Sequence, residues 1–509
     1  MVFKKKSAMK AIPVMAAAVL LVTTVACSSN PGPTGGSAGD KKEAPTEISI
    51  MSTFFSQEPP GEDNVIIKEI EKRTNTKLKI TWVSPNNYAD KLNVTLASGD
   101  LPDMILADYP QRYPLVKSMS QQGAFWDLTT LYKSYPNLSK FPELTWKNLA
   151  FGDGKNYGIP RVRPVYGQTA LNVRKDWLDK LGLKEPTTTD ELYEVMKAFA
   201  TKDPDGNGKD DTYGFLGYTD PTGVGKFNVI ETAFTKTFGD WKLENGKLTP
   251  VIFLPSQKEA LMYLNKLYAE KLIPEDFSIL KQTQTLDMMK SGKGGLDAVP
   301  MDQAWESTAE LKKIKPDAYV EPLVSLNGTT ITDPGAFGMF MIPKKVPEAK
   351  VKKIMEFMDF GASDEGSDLA NYGFKDVHFT EQDGFKIPTE QAKKDNVSQQ
   401  AMGQIFLKYD KYQKAYKAGI PKEFYDRHTK IIDERTKFAV LDPSIGVDSD
   451  AWIKYWPEYQ KKIIDLKVKM IVGKETPANY DKFVEQLKTD ANFNKIIEEM
   501  NVSYKKKNG

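Results

Sequence analysis

Between residues 48 and 107 the chain alternates strand, helix, strand, helix and strand over short connections, and no other stretch constrains its fold as tightly. Ile48 to Phe54 alternates as a strand, Val65 to Arg73 sets Ile66, Ile67 and Ile70 at helical spacing, and Leu78 to Val83 alternates again. Tyr88 to Ser98 reads as a helix ended by Gly99, and Asp103 to Ala107 as a short buried strand. Such a succession implies a parallel sheet with helices on both faces. Ligands meet sheets of this kind at the carboxyl ends of their strands. Those ends carry Phe54, Phe55, Asp108 and Tyr109.

Later segments add helices and turns. Thr188 to Glu191 and Ser256 to Glu259 both match the capping box that opens a helix. An apolar stripe follows each: Leu192, Val195, Met196 and Phe199, then Leu261, Leu264, Leu267 and Tyr268. Trp241 to Thr249 reads as a hairpin turning at Asn245-Gly246, and Leu296 to Met301 as a strand. The last third is mostly helical, from Val351 to Phe360, from Tyr459 to Val472 and near Tyr480 to Leu487. A chain of 509 residues that is 40% hydrophobic, with 70 basic against 68 acidic side chains, is neither disordered nor fibrous.

The first residues point to export. Lys4, Lys5 and Lys6 precede a mostly apolar run from Ala11 to Ala26, shorter than the ~20 residues a membrane-spanning helix requires, which is the pattern of a signal peptide. The run ends in Thr24-Val25-Ala26-Cys27, and Cys27 is the only cysteine of the chain. This arrangement resembles the lipobox of bacterial lipoproteins, with Thr24 in place of the usual leucine, and implies lipidation of Cys27. An ordinary secretory signal beside an incidental cysteine is the alternative. A lone cysteine forms no internal disulfide. The stretch after Cys27, to residue 45, is poor in apolar side chains and reads as a flexible tether. Taking Lys4, Lys5, Lys6 and Lys10 away with the signal peptide leaves 66 of the 70 basic residues against 68 acidic ones. A near-neutral chain offers no electrostatic case for nucleic-acid binding.

The run Tyr88-Ala-Asp-Lys-Leu-Asn-Val-Thr-Leu-Ala-Ser-Gly-Asp-Leu-Pro-Asp103 resembles a segment of the family 1 extracellular solute-binding proteins, the receptors of ABC-type sugar importers. Gly158-Ile-Pro160, Val173 to Leu183, Leu264 to Leu272, Gly338 to Pro343 and Ser363 to Gly366 follow in that family's order, nearest to its Gram-positive lipoprotein branch. The resemblance implies a two-lobed, periplasmic-binding-protein-like α/β fold of type II, each lobe a mainly parallel sheet flanked by helices, with a hinge between. On that pattern residues 1–26 are the signal peptide and 27–45 the tether. Lobe one takes 46–166 and 337–448, and lobe two 167–336 and 449–509, with crossings near Gly167 and Gly335. Further implied are a monomer held at the extracellular face of the cell membrane by its lipid alone, an oligosaccharide ligand, delivery to ABC permease subunits, and no catalysis.

The most specific local motif is Asp203-Pro-Asp-Gly-Asn-Gly-Lys-Asp-Asp211. Oxygen side chains at alternate positions, with Gly208 sixth, match the first half of an EF-hand loop. Asp203, Asp205, Asn207 and the Lys209 carbonyl suit calcium, and the family resemblance adds Asp211 at the ninth position. Thr212 stands where relatives often carry glutamate, and no glutamate fills the twelfth position. A structural calcium is the expected cofactor; a solvated Asx-type turn is the alternative.

Sugars present apolar ring faces and a girdle of hydroxyls, so a receptor for them needs flat aromatic rings and forked donors and acceptors. Trp126, Trp177 and Trp241 sit in patterns that read as packing. Trp305 instead follows the carboxyl end of the strand from Leu296, together with Asp302 and Gln303, and Arg161, Arg163 and Tyr166 flank the first crossing. Tyr109, Tyr218 and Tyr372 complete the expected set. Two rivals remain: a secreted polysaccharide-active enzyme, which needs a pair of spaced carboxylates, and a ligand-sensing lipoprotein that feeds a membrane kinase. Only His378 and His428 exist, which excludes a His-rich metal centre, and Ser291 to Gly295 reads as a turn instead of a phosphate cradle.

Overall fold

A computed structural model describes residues 44–56, 58–107, 114–220, 223–397, 401–447 and 449–508. The expectations for the signal peptide, for Cys27, for the tether up to residue 43, and for Asp108 and Tyr109 lie outside the described residues.

The opening alternation forms three parallel strands, Thr46–Thr53, Thr76–Val83 and Met104–Ala107, with Thr46–Thr53 in the middle. Helix Val65–Thr74 follows the first of them and buries Ile66, Ile67 and Ile70. The Asn64 side chain accepts from the Ile66 amide at its start, and Asn75 closes it at φ 48°. Helix Pro85–Ser98 ends at Gly99, φ 74°. Two more strands complete the sheet: Ala336–Met341 runs antiparallel to both Met104–Ala107 and Gly158–Val162. A second sheet is ordered Val320–Pro322, Ala170–Arg174, Gly294–Val299, Tyr213–Leu216, and only its last pair is parallel.

Each sheet is mainly parallel, as expected, with one strand reversed: Ala336–Met341 in the first and Ala170–Arg174 in the second. The reason is the crossing of the chain between them. A strand arriving from the other lobe enters at the ligand end of its sheet, so its first residues sit beside the last residues of its neighbours. Ala336 pairs with Val162 in this way, and Ala170 with Val299.

Each sheet has its own core. Ile48, Ile50, Ile105, Met339, Phe340, Ile354 and Phe406 are wholly buried in the first. Val173, Trp177, Phe199, Phe215, Leu264, Leu296 and Phe493 fill the second, together with Trp456 and Met500 of the C-terminal helices. Trp241 is equally buried there. A small third cluster of Ala170, Met301, Ala415, Ile431 and Ile432 lies where the crossings meet.

The capping box at Thr188 forms: its hydroxyl accepts from the Glu191 amide at 3.2 Å, and the Glu191 carboxylate accepts from the Thr188 amide at 3.1 Å. The one expected at Ser256 does not. Pro255 takes the first position of helix Pro255–Ala269, where a fixed φ and a missing N–H cost nothing, so the helix begins before Ser256. The hairpin pairs Trp241–Glu244 with Lys247–Pro250 around Asn245 and Gly246, both at positive φ. Helices Glu348–Gly361, Asp450–Ile471 and Pro477–Thr489 follow the sequence pattern, and Ala491–Asn508 adds one that it did not reveal. Among the described residues no helix is long and apolar enough to cross a membrane.

Candidate functional site

Two connections carry the chain between the sheets, and each turns on a glycine. Gly167 has φ 85° and Gly335 φ 88°. A Cβ added to Gly167 would lie 2.8 Å from Lys414 Cβ, and one on Gly335 would lie 2.3 Å from Thr145 Oγ1, so neither position admits a larger residue without movement. The connections run side by side: Arg163 N donates to Gly335 O at 2.9 Å, and Asp333 N to Val165 O at 2.8 Å. Thr330–Ile331 adds a short parallel pairing with Ala439–Val440. Helix Lys422–Arg435 is fixed to the second sheet, because the buried Arg435 guanidinium donates to Leu323 O at 2.7 Å and to Thr169 O at 2.6 Å.

Arg161 and Arg163 are two residues apart in extended chain and so project on one side. In the neighbouring strand the register shifts between Ala336 and Met339, and this irregularity re-aims Phe337. Its half-buried ring packs against both guanidinium groups, each Cζ 4.8 Å from the ring centroid. Arg161 also lies 6.0 Å from the ring of Phe55, which is 46% exposed at the end of the strand Thr46–Thr53. The cluster is held from behind. Arg161 Nε donates to Gln404 O at 3.3 Å, Arg163 Nη1 donates to Asp333 Oδ2 at 3.1 Å, and Asp333 Oδ1 accepts from Gly335 N at 3.1 Å. Burial pushes the Asp333 carboxyl upward, against the pull of Arg163. Phe54, next to Phe55, is half-buried.

Other expected residues gather around the crossings or in the second lobe. Trp305 is only 7% exposed on helix Met301–Leu311, with its ring 5.0 Å from that of Phe424, so it packs where an open platform was expected. Asp302 Oδ2 accepts from Lys414 Nζ at 3.1 Å, and Gln303 is half-buried. Tyr166 packs on the cluster that contains Met301 and Ile432. Tyr218 is buried, its hydroxyl donates to Gln282 Oε1 at 3.2 Å, and burial pushes its pKa up to about 12. Tyr372 is more remote in its contacts, with its ring 6.0 Å from Phe379 and 5.2 Å from Lys386 Nζ.

The strand Gly294–Val299 also buries a polar group that its sequence did not flag. Asp297 is 3% exposed and accepts from Asn172 Nδ2 at 2.9 Å, and burial raises its pKa to about 6 in spite of nearby Lys226. Phe337 was missed too. The available signal was its position two residues past Gly335, directly after the second crossing; the register shift that turns it toward the arginines has no sequence signature.

The loop from Asp203 to Asp211 forms the turn that the motif implies. Asp203 accepts from the amides of Asn207 at 2.9 Å and Gly208 at 3.0 Å, and Asn207 Oδ1 accepts from Lys209 N at 2.8 Å. Burial and the neighbouring Asp203 and Asp211 raise the Asp205 carboxyl, which is the repulsion a divalent cation relieves. The oxygen donors fit calcium in kind. Asn207 Nδ2 meanwhile donates to Asp205 and Asp211, and Lys293 Nζ pairs with Asp211 at 2.7 Å, so a bound cation requires these groups to turn outward.

Comparison with known proteins fits this architecture. The chain is 33% identical over 473 residues to the polygalacturonan/rhamnogalacturonan-binding protein YtcQ of Bacillus subtilis, with 89% of each chain covered. It is 32% identical to Lipoprotein LipO of the same organism, covering 89% of this chain and 90% of that one. Among solved structures, an HMO-binding, ABC-transporter-associated solute-binding protein of Bifidobacterium longum infantis superposes with a TM-score of 0.68 at 20% identity, over 91% of this chain and 99% of the other. An EF-hand mutant of the substrate-binding protein FusA of S. pneumoniae, in complex with fructo-nystose, gives 0.62 at 19% identity, over 90% and 98%. Residues 56–368 match the family described as bacterial extracellular solute-binding protein, and with two relatives above 30% identity along nearly their whole length, the chain belongs to that family.

Proposed function

We propose that this chain is a lipid-anchored receptor on the extracellular face of a Gram-positive membrane, a monomer that captures an oligosaccharide between its lobes and hands it to the permease of an ABC importer. The observation that carries this reading is the cluster of Arg161 and Arg163 against Phe337 beside the exposed ring of Phe55. The Phe55 ring, 46% exposed, offers a sugar a stacking face, and two guanidinium forks offer donors to hydroxyl or carboxylate oxygens. The names of YtcQ, which binds polygalacturonan and rhamnogalacturonan, and of LipO support a glycan ligand and the anchor at Cys27.

The cluster binds and orients without making or breaking bonds. Its carboxylate, Asp333, is engaged by Arg163 and by the Gly335 amide, so it is placed as a structural anion and not as an acid or nucleophile. Closure about Gly167 and Gly335 would bring Tyr218 and the start of helix Met301–Leu311, with Asp302 and Gln303, toward the ring and turn capture into a shape a permease can read. Asp203, Asp205, Asn207 and Asp211, with the Lys209 carbonyl, would hold a calcium ion that neutralises the crowded carboxylates and ties the loop to strand Tyr213–Leu216.

A thermal-shift screen of the full chain against pectic, fructan and neutral oligosaccharides, with and without calcium, tests both points. A stabilising glycan recovered uncut, with stabilisation lost in Arg161→Ala, is the expected result. Cleavage of that glycan would overturn the receptor reading, and an unchanged Tm with calcium would overturn the metal assignment.

A further inference from the structure

Helix Lys422–Arg435 ends in a guanidinium that the fold encloses without a counter-charge. Arg174 and Arg435 are both 2% exposed, and they are satisfied in different ways. Arg174 forks onto the Asp176 carboxylate at 2.8 and 2.7 Å. Arg435 meets only neutral carbonyls, those of Leu323 and Thr169, and its Nε has no partner, so two of its five N–H groups are used. Burial alone moves its pKa, down to about 10, and no neighbouring charge counters the shift. The group is therefore a cation at neutral pH, and enclosing an unpaired cation is expensive.

A cavity of about 20 Å³ borders this guanidinium. Thr169, Thr232, Ser325 and Thr330 line it with hydroxyls that have no hydrogen-bond partner among the described residues. Thr329 borders it too, but spends its hydroxyl on Leu326 O at 2.8 Å. No Asp or Glu contributes to the lining, and Leu171 and Val229 close it with apolar surface, which strengthens a charge interaction inside.

Size and charge together select the occupant. A volume of that order takes one water or one monatomic ion, and excludes sulfate, phosphate and any molecule that carries a carboxylate. A water would leave the guanidinium without a counter-charge. A halide neutralises it and accepts from N–H and O–H groups at once.

We infer that this cavity is a binding site for one small monovalent anion, chloride under physiological salt, held by Arg435 and the hydroxyls of Thr232, Ser325 and Thr330. The surrounding residues come from both connections between the sheets. Thr169 lies two residues after Gly167, and Thr330 lies five before Gly335, in the short strand that pairs with Ala439–Val440. The anion thus ties both connections to helix Lys422–Arg435 and stiffens the junction between the sheets. This assignment is independent of which glycan the cleft takes.

Two measurements on the full chain test it. Replacing sodium gluconate by sodium chloride to about 0.2 M at constant ionic strength should raise Tm by about 2 °C, the shift for one site with a Kd of about 10 mM. The rise should fall by about half in Thr232→Val, which keeps the side-chain shape without the hydroxyl, and vanish in Arg435→Met. Because Arg435→Met also loses the bonds to Leu323 and Thr169, Thr232→Val decides the matter if that variant does not fold. In crystals grown with sodium bromide, anomalous scattering should place one bromide against the guanidinium. An equal rise in all three proteins would mark a general salt effect and overturn the proposal. So would no rise at all, or a bromide peak without the rise, which is binding at crystal concentration only. Anomalous maps that lack bromide beside Arg435 overturn it too, and leave the cavity to water.

Discussion

The two lobes hold their aromatic rings in opposite ways. On the first lobe Phe337 is half-buried against two cations, beside Phe55, which is 46% exposed. On the second lobe Trp305 and Tyr218 are buried, one against Phe424 and the other tied to Gln282. A ring that is free on one face can serve a ligand, whereas a ring enclosed by its neighbours serves the fold. The first lobe thus leaves an aromatic ring open at Phe55, and the second has packed rings and a buried carboxyl, Asp297.

Substitutions that exchange these roles should separate stability from affinity. The largest effect is expected for Trp305→Ala: removing a packed indole costs about 3–5 kcal/mol of stability, read by urea unfolding. A loss under about 1 kcal/mol would show that the ring is not structural and would erase the contrast.

Next comes Asp297→Asn. The Asp297 pKa of about 6 lies above the unfolded-state value of ~3.9, so the native state binds the proton more tightly. The favourable contribution is whole below about pH 4 and is lost as pH rises through about 6, a swing of about 3 kcal/mol. Asparagine carries no such proton. The variant should therefore gain up to about 3 kcal/mol over the parent at pH 8 and nothing at pH 4; parallel pH slopes for the two proteins would remove Asp297 as the cause.

Phe337→Ala should act on binding instead. Losing this ring weakens glycan affinity by about 30-fold, or about 2 kcal/mol, with little change in Tm. The reverse pattern, a destabilised protein with unchanged affinity, would assign this ring to the fold along with Trp305. The smallest effect, about 1 kcal/mol, is expected for Thr188→Ala, which removes the capping box at the start of helix Thr189–Thr201. Its glycan affinity should equal the parent's, and the measurement sets the scale for a purely local loss.

Much of the architecture was legible because local periodicity encodes it. The helix with Ile66, Ile67 and Ile70 on one face, the glycine stop at Gly99 and the Asn245-Gly246 turn each follow from residues within one or two turns of chain. The Ser256 box failed through an equally local competitor, since Pro255 starts the helix first. Arg161 and Arg163 were also readable, as two forks on one side of a strand. Trp305 misled because sequence position after a strand says where a helix begins but not what covers its faces; Phe424, which covers it, is 119 positions away.

By itself, the order of apolar and polar residues determined that this chain builds α/β lobes, and its similarity to relatives along nearly the whole chain determined its family. Only the tertiary structure decided that one strand of each sheet is reversed, that Phe337 packs against both Arg161 and Arg163, and that a cavity opens where the last helix meets the first lobe. Periodicity acts over a few residues, while strand direction after a crossing, a shifted register and a shared cavity wall depend on segments hundreds of residues apart being brought into contact.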